Sequence, residues 1–148
     1  MVKRLSILVV LVILFGSFYW YEHYHGLHDA TYYRNIRFAK IGDDLARINS
    51  LFESYDVDRE WFVLFPIGCF DRHEIRKKGG GTFIIVFRDR IGDEELESLP
   101  HEIKDIESIP RIGEQVVFEI NKEDTVTNIH LSGIKDIATD SINGVDLD

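Results

Sequence analysis

The chain has 148 residues and a net charge of −9, and 45% of its residues are hydrophobic. The part after residue 30 is long enough for one domain with a hydrophobic core. This part carries the whole negative charge, because Lys3 and Arg4 balance Glu22 and Asp29 before it. An acidic domain repels phosphate backbones, which counts against nonspecific nucleic-acid binding. The single cysteine excludes a disulfide within the chain.

The first 21 residues have the pattern of a membrane anchor. Lys3 and Arg4 precede an uncharged apolar run from Leu5 to Phe18, and the aromatic residues 19–21 close it. As a helix, residues 5–21 reach about 25 Å, which a locally thinned bilayer accommodates. A cleaved secretory signal is the alternative. We expect an uncleaved anchor, because no candidate cleavage point has small residues at both required positions.

Positive charges predict the orientation of this anchor. Lys3 and Arg4 lie directly against the apolar run, whereas the next cationic side chain, Arg34, is well separated from it. The positive-inside rule then places the N terminus in the cytoplasm and the domain outside. The sequence therefore predicts a single-pass protein of the cytoplasmic (inner) membrane, with the lipid bilayer as the partner of residues 5–21.

Residues 22–35 are polar and aromatic, and we predict a juxtamembrane connector there. His23, His25 and His28 make a cluster that could bind a cation such as Zn²⁺, but their spacing matches no closed zinc site. The interpretation that we favour is that these side chains lie among lipid headgroups. No metal or other cofactor is predicted.

Residues 36–148 are predicted to form the folded domain. Residues 44–55 fit a helical face and one side of a strand, and both interpretations stay open. The apolar runs 61–65 and 82–87 are typical of strands, and residues 71–81 between them supply turn residues.

The last apolar runs predict a hairpin. Residues 115–120 and 125–131 alternate as strands do, and the sequence NKED joins them by a tight turn.

The connection between residues 89 and 110 is long and acidic. Leu96, Leu99, Ile103 and Ile106 recur in it at helical spacing, which predicts one or two short helices. The runs 61–65 and 82–87 are apolar on both faces, so both faces of their sheet need a cover. The chain's own residues 93–107 are one candidate cover, and another protein is the alternative.

The segment IPRIGEQVVFEINKEDTVTNIHL, residues 109–131, resembles the end of a cold-shock domain. In that family a glycine leads into a strand of the type V-x-F-x-I, and a turn then leads into a strand that ends N-V-x-L. The matching positions are Gly113, Val116, Phe118, Ile120, Asn128, Ile129 and Leu131. With residues 44–55 as a strand, the resemblance implies a mainly β fold, a five-stranded OB-like barrel with one or two short helices behind the single transmembrane helix.

Cold-shock domains stack single-stranded nucleic acid on aromatic strands, and this chain lacks their glycine and histidine pattern. Its candidate platforms are four aromatic side chains, Trp61, Phe62, Phe83 and Phe87. Three basic residues precede a run of glycines and could contact an anion, namely Arg76, Lys77 and Lys78. A solvated hairpin loop is the other interpretation of the basic residues.

Cys69, Asp71 and His73 are the only nucleophile and base candidates that are close in sequence, and ordinary strand and turn roles suit them better. No enzyme is therefore predicted. The sequence predicts a membrane-anchored interaction module with other membrane or envelope proteins as partners. The alternative is a diverged cold-shock-like binder of single-stranded nucleic acid, which requires the domain to face the cytoplasm.

Overall fold

The computed structural model describes residues 2–53, 70–134 and 145–147. Three α-helices lie at Val2–Phe38 (α1), Leu45–Leu51 (α2) and Asp93–Ser98 (α3), and a short 3₁₀ helix lies at Ile106–Ser108. The strands are Asp71–Lys77 (β1), Thr82–Phe87 (β2), Glu102–Ile103 (β3), Gln115–Ile120 (β4), Val126–Ser132 (β5) and Val145–Leu147 (β6).

The first helix continues well beyond the apolar segment. α1 has 37 residues and is about 55 Å long at 1.5 Å per residue. By length and composition its apolar part is sufficient to cross a membrane, and none of that part is buried against the rest of the chain. Residues 22–35, predicted as a connector, are helical, and the boundary predicted at residue 36 lies inside α1.

The strands form one open, mixed sheet with the order β3-β1-β2-β4-β5-β6. β3 pairs with β1 and β6 pairs with β5 in parallel, and the other neighbours are antiparallel. Because β3 and β6 lie at opposite edges, the predicted five-stranded OB-like barrel is not confirmed.

The ambiguous residues 44–55 contribute α2. The carboxylate of Asp44 accepts a hydrogen bond from the backbone N of Arg47 at 2.7 Å, which caps the start of this helix. Ile48 and Phe52 then pack into the core. The strand that completed the barrel order is therefore a helix, and the cold-shock resemblance of residues 109–131 stays a prediction.

The predicted hairpin is confirmed as β4 and β5. In its turn, Asn121 Oδ1 accepts hydrogen bonds from the backbone N of Glu123 and of Thr125, each at 3.0 Å. By contrast, residues 71–77 form strand β1, where the sequence predicted a turn. Ile75 is the only residue of this strand that is buried, so its apolar signal is weak.

The prediction that both faces of 82–87 are covered is confirmed for β2. Ile84 and Val86 belong to one cluster, which α1 and α2 cover. Phe83, Ile85 and Phe87 belong to a second cluster on the other face. That face is covered by residues 91–112, which we call the covering segment and which contributes Ile91, Leu99, Ile103, Ile106, Ile109 and Ile112.

The cover predicted within residues 93–107 therefore comes from the chain itself. The predicted helices there are α3 and the 3₁₀ helix, with β3 between them. The run 61–65 lies outside the described residues.

The turn between β1 and β2 is built on glycine. Gly79 and Gly81 have φ of +91° and +94°, a region that L side chains rarely adopt. A Cβ on Gly81 would collide with the backbone oxygen of Ile120, whereas a Cβ on Gly79 would meet nothing within 4 Å. The two glycines thus share a conformation and differ in the available space.

Candidate functional site

The aromatic side chains predicted as stacking platforms do not face solvent where the structure describes them. Phe83 and Phe87 are each 1% exposed, because the covering segment packs on their face of β2. Trp61 and Phe62 lie outside the described residues. Among the predicted platforms that the structure describes, none can stack on a base.

The predicted basic residues lie at the end of the sheet that is remote from the apolar part of α1. Lys77 forms an ion pair with Glu119, and its Nζ lies 5.5 Å from the centre of the Phe83 ring. Arg76 and Lys78 are exposed. The backbone N of Gly42, just after α1, donates to Val126 O at 2.8 Å, which places the C-terminal end of α1 at this end. We call it the far end.

The histidines predicted as a possible metal site are separated by their contacts. His23 stacks on Tyr19 with ring centres 6.2 Å apart, whereas His28 Nε2 lies 2.7 Å from Arg88 O. The side chain of His25 lies outside the described part. Within the described residues, no group of three His, Cys, Asp or Glu side chains could hold a metal ion.

The pair Asp71 and His73 has a structural role. Asp71 Oδ1 lies 2.7 Å from His73 Nε2, and Asp71 Oδ2 accepts a hydrogen bond from the backbone N of Ile91 at 2.9 Å. The carboxylate thus fixes the start of the covering segment to β1. Cys69, the nucleophile candidate beside this pair, lies outside the described residues.

The C-terminal third of α1 is part of the domain core. Tyr32 is fully buried and donates a hydrogen bond to Val86 O at 3.0 Å, and Asn35 Nδ2 donates to Leu51 O at 2.8 Å. Ile36 is also fully buried in the same cluster. The sequence contains a signal for this packing, since Tyr32 and Ile36 are four residues apart, but the connector interpretation missed it.

A charged cluster fixes α1 to the end of the sheet opposite the far end, which we call the anchor end. Arg88 forms ion pairs with Glu114 at 2.6 Å, with Asp89 at 2.8 Å and with Asp29 of α1 at 3.7 Å. Tyr33 of α1 donates a hydrogen bond to Glu114 at 2.7 Å. These contacts join α1, β2 and the start of β4.

Burial changes the acidity of the two tyrosines that α1 presents to the domain, both outside the apolar segment. Desolvation, with a smaller contribution from the negative charge of Glu114, raises the pKa of Tyr32 well above its usual value. Desolvation and the hydrogen bond to Glu114 raise the pKa of Tyr33. Both hydroxyls therefore stay protonated in the folded domain at pH values where an exposed tyrosine ionises.

We expect the folded domain to lose stability above about pH 10, where tyrosines of the unfolded chain ionise. Because the pKa of Tyr32 is higher in the folded state, the unfolded state releases the proton first. Each further pH unit then costs about 1.4 kcal/mol for this group. Urea unfolding at several pH values measures the slope. In Tyr32→Phe the slope should be shallower, and an unchanged slope would contradict the assignment to Tyr32.

A cavity of about 130 Å³ lies between the β4–β5 hairpin and the covering segment. Its floor is formed by alternate side chains of the two strands, Gln115 and Val117 of β4 and His130 and Ser132 of β5. Ile106, Glu107, Ile109 and Arg111 of the covering segment line its side. The lining of the cavity is therefore mixed, with four apolar and five polar or charged residues.

Gln115 is the most deeply buried polar residue of this floor, at 2% exposure. Its Oε1 accepts a hydrogen bond from the backbone N of Ile112 at 2.9 Å, which fixes the orientation of the carboxamide.

His130 lies beside a carboxylate on the same face of the sheet. Its Nε2 is buried, has no hydrogen-bond partner in the described part of the chain, and lies 3.9 Å from Glu119 Oε2. Glu119 is already paired with Lys77.

No motif in the sequence indicates the cavity. Its residues come from the hairpin and from the acidic connection, two segments for which the sequence predicts structural roles only. No family model matches the chain, and searches of curated proteins and of solved structures found no similar protein.

Proposed function

We propose that this protein is a membrane-anchored, non-enzymatic binding module, held on the outer side of the cytoplasmic membrane. The observation that carries the proposal is the continuity of α1, which runs without a break from the apolar segment into the domain core. Tyr32 and Ile36 are buried on the same helix whose residues 6–21 are exposed and almost wholly apolar. Such a helix joins the domain to the bilayer through a stiff element.

The helix also fixes the height of the domain. Tyr21 is the last of the interfacial aromatic residues, and His28, seven positions further along the helix, makes the first of the contacts with the anchor end. At 1.5 Å per residue this is about 10 Å. The anchor end then lies close to the lipid headgroups, and the far end with its basic residues points away from them. This geometry supports a role for the far end in contacts with proteins and not with anionic lipid.

Burial of β2 weighs against the nucleic-acid alternative. Single-strand binders of the cold-shock type need exposed aromatic faces on adjacent strands. Phe83 and Phe87 are buried, and the net charge of −9 opposes a phosphate backbone. The binding-module proposal does not require either feature.

Fusions at Asp148 test the orientation. We expect a C-terminal alkaline phosphatase to be active and a C-terminal green fluorescent protein to be dark, because phosphatase folds outside and the fluorescent protein inside. The same fusions on a Lys3→Glu, Arg4→Glu variant serve as the matched control, since loss of the positive flank should reduce or reverse the asymmetry. A fluorescent and phosphatase-inactive parent chain would reverse the proposed side.

A further inference from the structure

We propose that copies of this protein associate side by side in the membrane, with the outer face of α1 in one copy against α3 of the next. This contact gives the proposed module a partner, a second copy of the chain, and it rests on the membrane anchoring proposed above. It does not depend on the side of the membrane that the domain faces.

The outer face of α1 is positively charged although the domain as a whole is acidic. Residues 30–42 contain three cationic side chains and no acidic one. All three are exposed, and none of them forms an ion pair within the part of the chain that the structure describes. We use the name basic surface for these cations and the two exposed apolar residues among them, Arg34, Arg37, Phe38, Lys40 and Ile41.

The covering segment carries the opposite charge. It contains seven acidic residues against Lys104 and Arg111. Helix α3 exposes four of these carboxylates, which form no ion pair among the described residues. We use the name acidic surface for the exposed residues of α3, Asp93, Glu94, Glu95, Leu96 and Glu97. Because α1 covers one face of the sheet and the covering segment covers the other, the two surfaces lie on opposite sides of the domain.

Both surfaces also expose apolar side chains. Beyond the apolar segment of α1, the described residues include three exposed large hydrophobic side chains, and all three belong to these surfaces. They are Phe38 at 51% exposure, Ile41 at 43% and Leu96 at 41%. Protein interfaces typically place apolar side chains at the centre and charged ones at the rim. Contact between the two surfaces would remove these side chains from water and pair the opposite charges.

The two surfaces lie at the same height above the membrane. The contacts of α1 described above place residues 32–42 between the anchor end and the far end. The covering segment spans the same distance. The backbone N of Ile91 donates to Asp71 at the start of β1, and His101 O accepts from the backbone N of Arg76 near the end of β1. Helix α3 lies between these two contacts along the chain.

Anchoring in one membrane gives all copies the same orientation. A sideways shift alone then brings the basic surface of one copy to the acidic surface of the next, at the same height. Confinement to the membrane also raises the effective concentration of each surface for the other. Such a head-to-tail contact leaves one basic and one acidic surface unused at the two ends, so further copies can add.

Energy transfer between labelled chains in lipid vesicles measures this association. Full chains with a donor or an acceptor dye on a C-terminal tag are reconstituted together at low surface density, after vesicle flotation has tested the anchoring itself. We expect energy transfer that falls when excess unlabelled chain is added, and that also falls with rising salt because salt screens exposed charges. Transfer that unlabelled chain does not reduce reflects random proximity and would overturn the proposal. Failure of flotation would instead contradict the proposed anchoring.

Charge reversal identifies the surfaces that meet. Arg34→Glu with Arg37→Glu reverses the basic surface, and Glu94→Lys with Glu97→Lys reverses the acidic surface. Each double variant alone should associate about tenfold more weakly than the parent chain. A mixture of the two variants should recover the energy transfer, and so should one chain that carries all four substitutions. Without recovery, these two surfaces are not in contact and the proposal fails.

Lys78→Glu with Lys122→Glu is the matched control. It changes the net charge by as much as reversal of the basic surface does, but both residues are exposed in turns at the far end. Energy transfer in this variant should equal that of the parent chain, and a loss as large as that of the basic-surface variant would overturn the proposal. Because every substituted residue is exposed, all variants should fold, which circular dichroism checks.

Discussion

Replacement of Tyr32 by alanine is expected to lower the free energy of unfolding of the domain by about 3–5 kcal/mol. Tyr32 is fully buried between α1 and the sheet, and its hydroxyl donates to Val86 O. The substitution removes an aromatic ring from the core together with the hydrogen bond of its hydroxyl to Val86 O. Urea unfolding of the full chain in micelles, followed by near-ultraviolet circular dichroism, measures the change.

Tyr21→Ala provides a control on the same helix. Tyr21 is 62% exposed, so the same substitution should change the unfolding free energy of the domain by less than about 0.5 kcal/mol. If Tyr32→Ala lost as little stability as Tyr21→Ala, residues 28–36 would not be part of the core. The comparison separates packing against the sheet from any general effect on helix α1.

Gly81→Ala is expected to be the second most damaging of the substitutions considered. A positive φ costs an alanine about 1–2 kcal/mol, and the clash of its Cβ with the backbone oxygen of Ile120 adds about 1–3 kcal/mol. The oxygen belongs to β4, which is paired with β2, so it cannot move without disturbing the sheet. Thermal unfolding by circular dichroism should show the loss.

Gly79→Ala isolates the contribution of the clash. Gly79 has nearly the same φ in the same turn, but its Cβ would point into open space. The Gly79→Ala variant should therefore lose only the about 1–2 kcal/mol that a positive φ costs an alanine. If both variants unfold at the same temperature, the close approach of the β1–β2 turn to β4 does not contribute to the loss of stability in Gly81→Ala.

The elements that sequence reasoning identified are those whose apolar pattern agrees with their environment. β2 is buried on both faces and reads as a continuous apolar run, and the β4–β5 hairpin has a clear turn sequence. β1 was missed because only Ile75 is buried in it, and its other residues are polar or charged and do not form the apolar pattern that predicts a strand. Periodicity alone could not separate helix from strand at residues 44–55, and the Asp44 cap and packing of Ile48 decide it.

The functional residues were harder to predict for a different reason. Phe83 and Phe87 looked available because a sequence does not show which segment covers which face. Gln115 and Ser132 lie on β4 and β5, and they line a cavity with the covering segment only in the folded chain. Neither residue belongs to a motif, so the cavity is a product of tertiary packing.

Helix α1 determines the direction in which the strands of the open sheet run relative to the apolar segment. α1 follows β2 in the opposite sense, since His28 lies at Arg88, Tyr32 at Val86, and Gly42 beside the hairpin at the other end. In the proposed membrane-anchored arrangement, a short span favours an α1 that stands near the bilayer normal, and the strands then also stand upright. The edges formed by β3 and β6 then face sideways over the lipid surface. Proteins embedded in the same membrane would then reach these edges by lateral diffusion. A soluble protein would first contact the β1–β2 and β4–β5 turns at the far end.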